Sequence, residues 1–193
     1  MSNFKELRTQ NISHGVIANT FTDDEPLIHL TSPALKVVNN FTQKTPLRAQ
    51  YETTIESALK QLSLQQSDFI LVTDEHHKLI GIVSSADLQS SKITVIAQRL
   101  NTHRSEVSLR HIMTPINQLA SVSMQSVSYS CIGDALQTME QKGIMFLLVT
   151  TANDEISGLI SARQIARILN IPLHITPIAN SFSDVLESVE HPH

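Results

Sequence analysis

Residues 54–88 read TIESALKQLSLQQSDFILVTDEHHKLIGIVSSADL, and residues 131–165 repeat the pattern as CIGDALQTMEQKGIMFLLVTTANDEISGLISARQI. The two stretches align without a gap at an offset of 77 residues. Identical residues gather at apolar, glycine and hydroxyl-bearing positions: Ile55 and Ile132, Ala58 and Ala135, Leu59 and Leu136, Phe69 and Phe146, Leu71 and Leu148, Val72 and Val149, Thr73 and Thr150, Gly81 and Gly158, Ser84 and Ser161. Chance agreement would not concentrate at the positions that define a core, so the chain contains a tandem repeat.

Each copy changes its hydrophobic period in the same order. Apolar residues at the spacing of one helix face come first, from Ile55 to Leu62 in the first copy. A continuous apolar run follows, then a polar turn and a second apolar run, which together are typical of a β-hairpin. A last helix is expected from Ser85 in one copy and from Ala162 in the other.

An extended lead-in segment precedes each first helix, around Leu47–Ala49 and near Met124–Ser126. The pattern therefore predicts a mixed α/β (α+β) fold built from two βαββα units. Because a unit of about 50 residues buries too little apolar surface to be stable alone, we expect the two to pack as one pseudo-symmetric body.

Capping signals mark the start of the first helix in each copy. Thr53 followed by Glu56 fits a capping box, and Ser130 takes the cap position in the second copy. Both helices are therefore expected to begin one residue after these caps.

The flanking segments carry weaker signals. Residues 1–30 show no sustained period and are interpreted as an N-terminal arm, and residues 93–107 as a connector between a first repeat at 31–92 and a second at 108–170. In the tail at 171–193, apolar residues recur at helical spacing after Ser181, which predicts a short amphipathic C-terminal helix.

The composition excludes several classes of function. A net charge of −4 and a pI near 6.1 give no general attraction for nucleic acid or anionic membranes. The sequence shows no signal peptide and no apolar run long enough to span a bilayer, and the single Cys131 is consistent with a reducing cytoplasm and a structural role.

No catalytic machinery is visible in the sequence. There is no glycine-rich phosphate loop and no Gly-x-Ser-x-Gly elbow, so we expect that the chain is not an enzyme and requires no cofactor. His76 and His77 fall in a predicted hairpin turn without the spacing of a metal site. A basic cluster in and after the connector is interpreted as a solvated face that could also reach an anionic ligand: Arg99, His103, Arg104, Arg110, His111.

The repeat resembles the cystathionine-beta-synthase-type (CBS) domain pair. The resemblance covers about residues 31–170 and rests on Gly81-Ile-Val-Ser-Ser-Ala-Asp87 and Gly158-Leu-Ile-Ser-Ala-Arg-Gln164, which follow the family's strand-exit pattern. Ser32-Pro-Ala-Leu-Lys-Val-Val and Ile112-Met-Thr-Pro are similar to its lead-in segments. The family stacks two hairpin sheets with two clefts between them, and many members bind adenosine nucleotides there.

The resemblance implies specific roles at the two strand exits. Asp87 would accept hydrogen bonds from ribose hydroxyls, and Ser84 would face a phosphate at the start of the following helix. In the second copy Gln164 replaces the acid, Ser161 remains, and Arg163 adds a cation suited to phosphate. The two clefts are therefore expected to be inequivalent.

An alternative needs no ligand. Ser-x-x-Asp and Ser-x-x-Gln are also ordinary capping boxes, which explain both exits through helix stability alone. The leading hypothesis is a cytoplasmic, homodimeric regulator that senses AMP, ADP or ATP in a cleft between the repeats and signals to an unidentified protein. The alternative is a ligand-free dimerisation or interaction scaffold.

Overall fold

The computed structural model describes residues 27–173 and residue 175. Residues 1–26 of the predicted arm and the predicted C-terminal helix after Ser181 lie outside this part. The strands are β1 (Val38–Asn40), β2 (Arg48–Gln50), β3 (Phe69–Thr73), β4 (Leu79–Ser84), β5 (Thr114–Pro115), β6 (Ala120–Ser123), β7 (Phe146–Thr150) and β8 (Ile156–Ser161). The α-helices are α1 (Ile55–Gln65), α2 (Ser85–Gln89), α3 (Lys92–Leu100), α4 (Met124–Ser128), α5 (Ile132–Lys142) and α6 (Ala162–Leu169).

The described residues form two four-stranded sheets, ordered β2-β3-β4-β5 and β1-β8-β7-β6. In each sheet the lead-in strand runs parallel to the first hairpin strand, and the hairpin itself is antiparallel. The predicted α/β fold with two copies of one unit is confirmed. The segment boundaries given above stay predictions.

Each sheet is completed by a strand from the other copy. β1 pairs with β8 of the second copy, and β5 pairs with β4 of the first. The exchanged backbones approach closely at the two repeated glycines. A Cβ at Gly81 would lie 2.7 Å from the Thr114 carbonyl oxygen, and one at Gly158 would lie 3.0 Å from that of Asn39. The glycines are repeated because a backbone passes over both.

The two hairpins are alike in their irregularities as well as their strands. A register shift occurs between Val72 and Thr73 and again between Val149 and Thr150. His77 and Asp154 both have positive φ, at 61° and 59°. The equivalence therefore extends to the turns, where only the backbone path is shared.

Among the described residues, three apolar clusters hold the fold together. One lies under each sheet, where α1 covers the first copy and α5 covers the second. A third lies between the sheets and draws equally on both copies: Phe69, Leu71, Ile82, Phe146, Leu148, Leu159. Phe69 and Phe146 meet edge to face, with ring centroids 6.4 Å apart. The two copies therefore pack together through this third cluster, as predicted.

The predicted helix caps are wrong by one residue. α1 is capped by Thr54, whose side chain accepts from the Ser57 amide at 3.4 Å, and not by Thr53. α5 begins after Cys131, not Ser130. Backbone bridges join Thr54 to Ser108 and Cys131 to Pro33, and these hold the cap residues extended. Tertiary pairing therefore set helix starts that local side-chain patterns placed one residue too early.

The second lead-in is also misplaced. The strand is Ala120–Ser123, and the predicted segment Met124–Ser126 belongs to α4. Ser123 caps this short helix by accepting from the Ser126 amide at 3.1 Å. The 77-residue offset therefore holds only from residue 54 onward, because the second copy inserts α4 between its lead-in strand and α5.

Candidate functional site

A cleft of about 240 Å³ lies where the two copies meet. One wall comes from β1 and the segment leading to β2, a second from the loop between α1 and β3, and a third from α6. We call it the Gln164 cleft, and its lining is Asn39, Asn40, Phe41, Lys44, Thr45, Pro46, Leu47, Gln65, Gln66, Ser67, Asp68, Phe69, Gln164 and Arg167. First-copy loops thus face a second-copy helix.

Of the five residues predicted at a site, Gln164 alone lines this cleft. Ser161 is buried beneath the start of α6. Arg163 is exposed and makes no hydrogen bond or ion pair with the residues that the structure describes. Ser84 and Asp87 belong to the other strand exit, at the end of β4. The structure therefore does not gather the five residues into one place.

Ser84 and Asp87 form a closed capping box at the start of α2. The carboxylate oxygen Oδ2 of Asp87 accepts from the Ser84 amide at 2.7 Å and from the Ser84 hydroxyl at 2.6 Å. The Ser84 hydroxyl in turn accepts from the Asp87 amide at 3.1 Å. Within the described residues, only Oδ1 of Asp87 is left for a ligand. The capping alternative therefore accounts for the geometry of this exit.

Gln164 behaves differently from its counterpart Asp87. Ser161 still caps the helix, because its hydroxyl accepts from the Gln164 backbone N–H at 3.4 Å. The Gln164 side chain, however, turns to β1. There Asn39 Nδ2 donates to Gln164 Oε1 at 2.6 Å and to the Leu159 carbonyl at 3.1 Å. This second exit is therefore an open cap whose side chain reaches the strand donated by the other copy.

The hydrogen-bond pattern fixes the orientation of the Gln164 amide. Because the Leu159 carbonyl can only accept, the Asn39 atom facing it is the NH₂ group, and the Gln164 atom bonded to that NH₂ is its oxygen. The Gln164 NH₂ group has no hydrogen bond with any described residue. This side chain therefore offers the cleft a donor, where a carboxylate would offer an acceptor.

An ion pair crosses the cleft between the two copies. Arg167 Nη2 lies 2.6 Å from Asp68 Oδ2, and Nη1 lies 3.2 Å from Oδ1. Both residues line the cleft, and their side chains are 66% and 40% exposed. The fork of the guanidinium thus holds a carboxylate in two hydrogen bonds, in a place that solvent reaches. A dissolved anion could therefore compete for the same group.

Lys44 and two aromatic rings complete the chemistry of the cleft. Lys44 is exposed, and its ammonium forms no ion pair among residues 27–173. Phe41 and Phe69 supply apolar surface, since both belong to or pack against the cluster between the sheets. A few polar groups beside apolar walls are typical of small-molecule sites.

Sequence reasoning missed Asn39, Lys44, Asp68 and Arg167. Asp68 aligns with Met145, and Arg167 aligns with Ser90, so the aligned copies do show charges that one copy has and the other lacks. Those differences were a usable signal. Asn39 carried none, because its contact with Gln164 spans 125 residues and depends on the strand exchange.

The basic cluster near the connector does not line the cleft. The guanidinium of Arg110 lies over the Tyr51 ring at 4.7 Å and 3.6 Å from Glu52 Oε1. Partial burial, and then the neighbouring Arg110 charge, lower the pKa of His111. These contacts are consistent with the predicted solvated face. That the basic cluster reaches an anionic ligand stays a prediction.

The remaining polar features are unremarkable in position. His76 and His77 are exposed in the first hairpin turn, and Cys131 is half-buried at the α5 cap. Among the described residues, no group of three or more His, Cys, Asp or Glu side chains is placed to hold a metal ion. In the same part of the chain, no helix combines the length and apolar character needed to cross a bilayer.

The comparison with family models gives one match, to the CBS domain, over residues 38–92. This segment is a CBS domain. It contains β1 to α2, with the Ser84–Asp87 exit, and its core pattern returns 77 residues later in a unit of the same strand order. The resemblance to a CBS domain pair is therefore supported by the family match in the first copy and by the same strand order in the second.

Solved structures of similar shape include CBS domain pairs. An uncharacterized conserved protein from Pyrococcus horikoshii is 14% identical, with a TM-score of 0.49 over 86% of this chain and 98% of that one. The CBS domain pair of protein MJ0100, in complex with 5′-methylthioadenosine and S-adenosyl-L-methionine, is 20% identical. Its TM-score is 0.47, and the match covers 74% of this chain and 98% of that one. CBSX2 in complex with AMP is 18% identical. Its TM-score is 0.47, and the match covers 70% of this chain and 94% of that one. No curated protein matches the sequence.

Proposed function

We propose that the chain is a cytoplasmic regulatory module that binds an adenosine nucleotide of the AMP, ADP or ATP type in the Gln164 cleft. Binding changes the relative population of two shapes, and a partner protein reads the difference. The observation that carries the proposal is the cleft itself, which opens where the exit of β8 meets the lead-in of the first copy.

The lining suits the parts of such a ligand. Phe41 and Phe69 offer apolar surface for a base, while Gln164, Arg167 and Lys44 offer donors and positive charge for a phosphate. The cavity of about 240 Å³ is smaller than the ~300–1,000 Å³ usual for ligand sites. We infer that part of the lining moves when a whole nucleotide binds, and this movement would supply the shape change that a regulator needs.

Asp87 keeps a second role open within the same proposal. Its Oδ2 is occupied in the capping box, and its Oδ1 can still accept from one ribose hydroxyl. We expect this exit to bind more weakly than the Gln164 cleft. It accepts through one free oxygen and has no arginine at the position of Arg167, where the first copy has Ser90.

Thermal unfolding with AMP, ADP, ATP and adenosine tests the proposal. A nucleotide present at 100 times its dissociation constant stabilises the native state by about 2.7 kcal/mol, which raises Tm measurably. Gln164→Leu removes a donor from the cleft and should weaken AMP binding several-fold, the usual worth of about 1 kcal/mol for one hydrogen bond. If none of the nucleotides raises Tm, the proposal is wrong.

Arg163→Gln is the matched control. It changes a residue one position away on α6 that is exposed and outside the cleft lining. AMP affinity measured by calorimetry should be unchanged in this variant. A larger loss in Arg163→Gln than in Gln164→Leu would place the ligand elsewhere.

The second candidate function is a homodimerisation or interaction scaffold without a ligand. It is favoured by the closed Ser84–Asp87 box, which explains that exit completely as a helix cap. Leu64 on α1 and Ile168 on α6 are exposed apolar residues that a sister subunit would cover. A dimer seen by sedimentation whose Tm no nucleotide changes would support the scaffold.

A further inference from the structure

The Asp68–Arg167 ion pair is absent from the otherwise equivalent corner of the other copy. The Asp68 carbonyl accepts from the Ser85 amide at 2.9 Å, and the Met145 carbonyl accepts from the Ala162 amide at 3.1 Å. The backbone is thus the same at Asp68 and Met145, although α2 ends at Gln89 and α6 continues past Arg167 to Leu169. Met145 replaces the acid, and Ser90 replaces the arginine. Since the second corner folds without the ion pair, the fold does not require it.

The pair is also not a buried structural bridge. Its side chains are 66% and 40% exposed, and surface ion pairs add little to stability. It nevertheless occupies both prongs of the Arg167 guanidinium, at 3.2 and 2.6 Å. Arg167 is the group in the cleft best shaped to bind two phosphate oxygens. Asp68 therefore occupies the position on the guanidinium that an anionic ligand would take.

We propose that Asp68 is a built-in competitor for anionic ligands of the Gln164 cleft, and that a ligand's phosphate displaces its carboxylate from Arg167. The inference rests on the proposed function, which supplies the ligand. The displaced carboxylate turns to solvent, so the contact between the α1–β3 loop and α6 is present without the ligand and absent with it. Asp68 thereby sets the affinity for charged ligands and leaves that for uncharged nucleosides unchanged.

The experiment compares AMP and adenosine binding by calorimetry at low salt in the wild-type chain and in Asp68→Asn. Removing the carboxylate should tighten AMP binding about fivefold, the effect of one unit charge near an exposed partner in water. Adenosine binding should change less than twofold. The gain for AMP should shrink at high salt, because the Debye length falls to about 3 Å at 1 M.

Two further variants isolate the pair. Glu56→Gln removes the same charge from another exposed pair, Glu56–Lys60 on α1, and should leave AMP affinity unchanged. In a chain that already carries Arg167→Gln, adding Asp68→Asn should give no further gain, because the contested group is gone. A gain that persists without Arg167, or that adenosine shares, overturns the proposal.

The remaining outcomes separate this inference from the proposed function. AMP binding that is equal in wild type and Asp68→Asn overturns the competitor role and leaves the nucleotide site standing. Failure of every nucleotide to bind to either protein overturns both. AMP binding seen in Asp68→Asn alone supports both.

Discussion

The starts of α2 and α6 occupy equivalent places in the two copies and use their side chains differently. Asp87 folds back onto Ser84 and closes the cap, whereas Gln164 leaves the cap half-made and bonds to Asn39 on the exchanged strand. In a closed cap, the side chain forms its hydrogen bonds at the start of its own helix. An open cap leaves a side chain for the neighbouring copy and for the cleft between them.

The same contrast recurs around the cleft. The shared positions are those that bury apolar surface or admit a close backbone, such as the phenylalanines at 69 and 146 and the glycines at 81 and 158. Some of the differing positions are polar and line the cleft, such as Asp68, which aligns with Met145, and Gln164, which aligns with Asp87. Function is therefore best sought where the copies disagree.

The exchanged strands give the largest expected difference between the copies. A Cβ in Gly81→Ala would lie 2.7 Å from the Thr114 carbonyl oxygen and 2.8 Å from the Met113 sulfur, whereas in Gly158→Ala both nearest contacts are at 3.0 Å. Since overpacking costs about 1–3 kcal/mol, we expect Gly81→Ala near the upper end and Gly158→Ala near the lower end. Urea unfolding followed by circular dichroism measures both, and a greater loss in Gly158→Ala would contradict the comparison.

Serine removal tests the closed cap against the open one. Ser84 accepts at 3.1 Å and donates at 2.6 Å within its box, whereas Ser161 accepts at a longer 3.4 Å. We expect Ser84→Ala to cost about 1–2 kcal/mol and Ser161→Ala about 0.5–1 kcal/mol, within the range for caps. The free energies of unfolding in urea decide it. Equal losses would show that the two caps contribute alike.

Substitutions at the ends of α1 and α5 should change the stability by smaller amounts, and with opposite signs in the two copies. Both helices end in the left-handed region, at Gln66 with φ 49° and at Gly143 with φ 60°. An L-residue there costs about 1–2 kcal/mol, and the extra freedom of glycine in the unfolded chain offsets part of that. Gln66→Gly should therefore stabilise the chain by about 0.5 kcal/mol, while Gly143→Ala should destabilise it by about 1 kcal/mol. Thermal unfolding of both variants is the measurement, and a lower Tm for Gln66→Gly would refute the expectation.

Much of the fold was predictable because its signals are local. Apolar runs gave both hairpins, and helical spacing gave α1 and α5. The helices starting at Ser85 and Ala162 were also predicted correctly. Each of these elements follows from hydrophobic periodicity within about a dozen residues, so no contact with a distant residue is needed to predict it.

The errors are of two kinds: helix starts that distant backbone sets, and a lead-in strand that an inserted helix displaces. The caps moved by one residue because Thr54 and Cys131 are bridged to Ser108 and Pro33. The lead-in strand of the second copy moved because α4 is inserted after it. Of the predicted site residues, Gln164 lines the cleft. Its partner Asn39 and the Asp68–Arg167 ion pair in the same cleft were not foreseen.

The sequence alone determined that this protein is a duplicated βαββα unit, since each copy repeats the apolar and glycine positions that a buried hairpin and a covering helix require. The tertiary structure alone decided which strand completes each sheet, which way the Gln164 amide faces, and that Asp68 meets Arg167. These last contacts join residues about a hundred positions apart. Local periodicity carries no information about such pairs, because they form only after both copies have packed on one core.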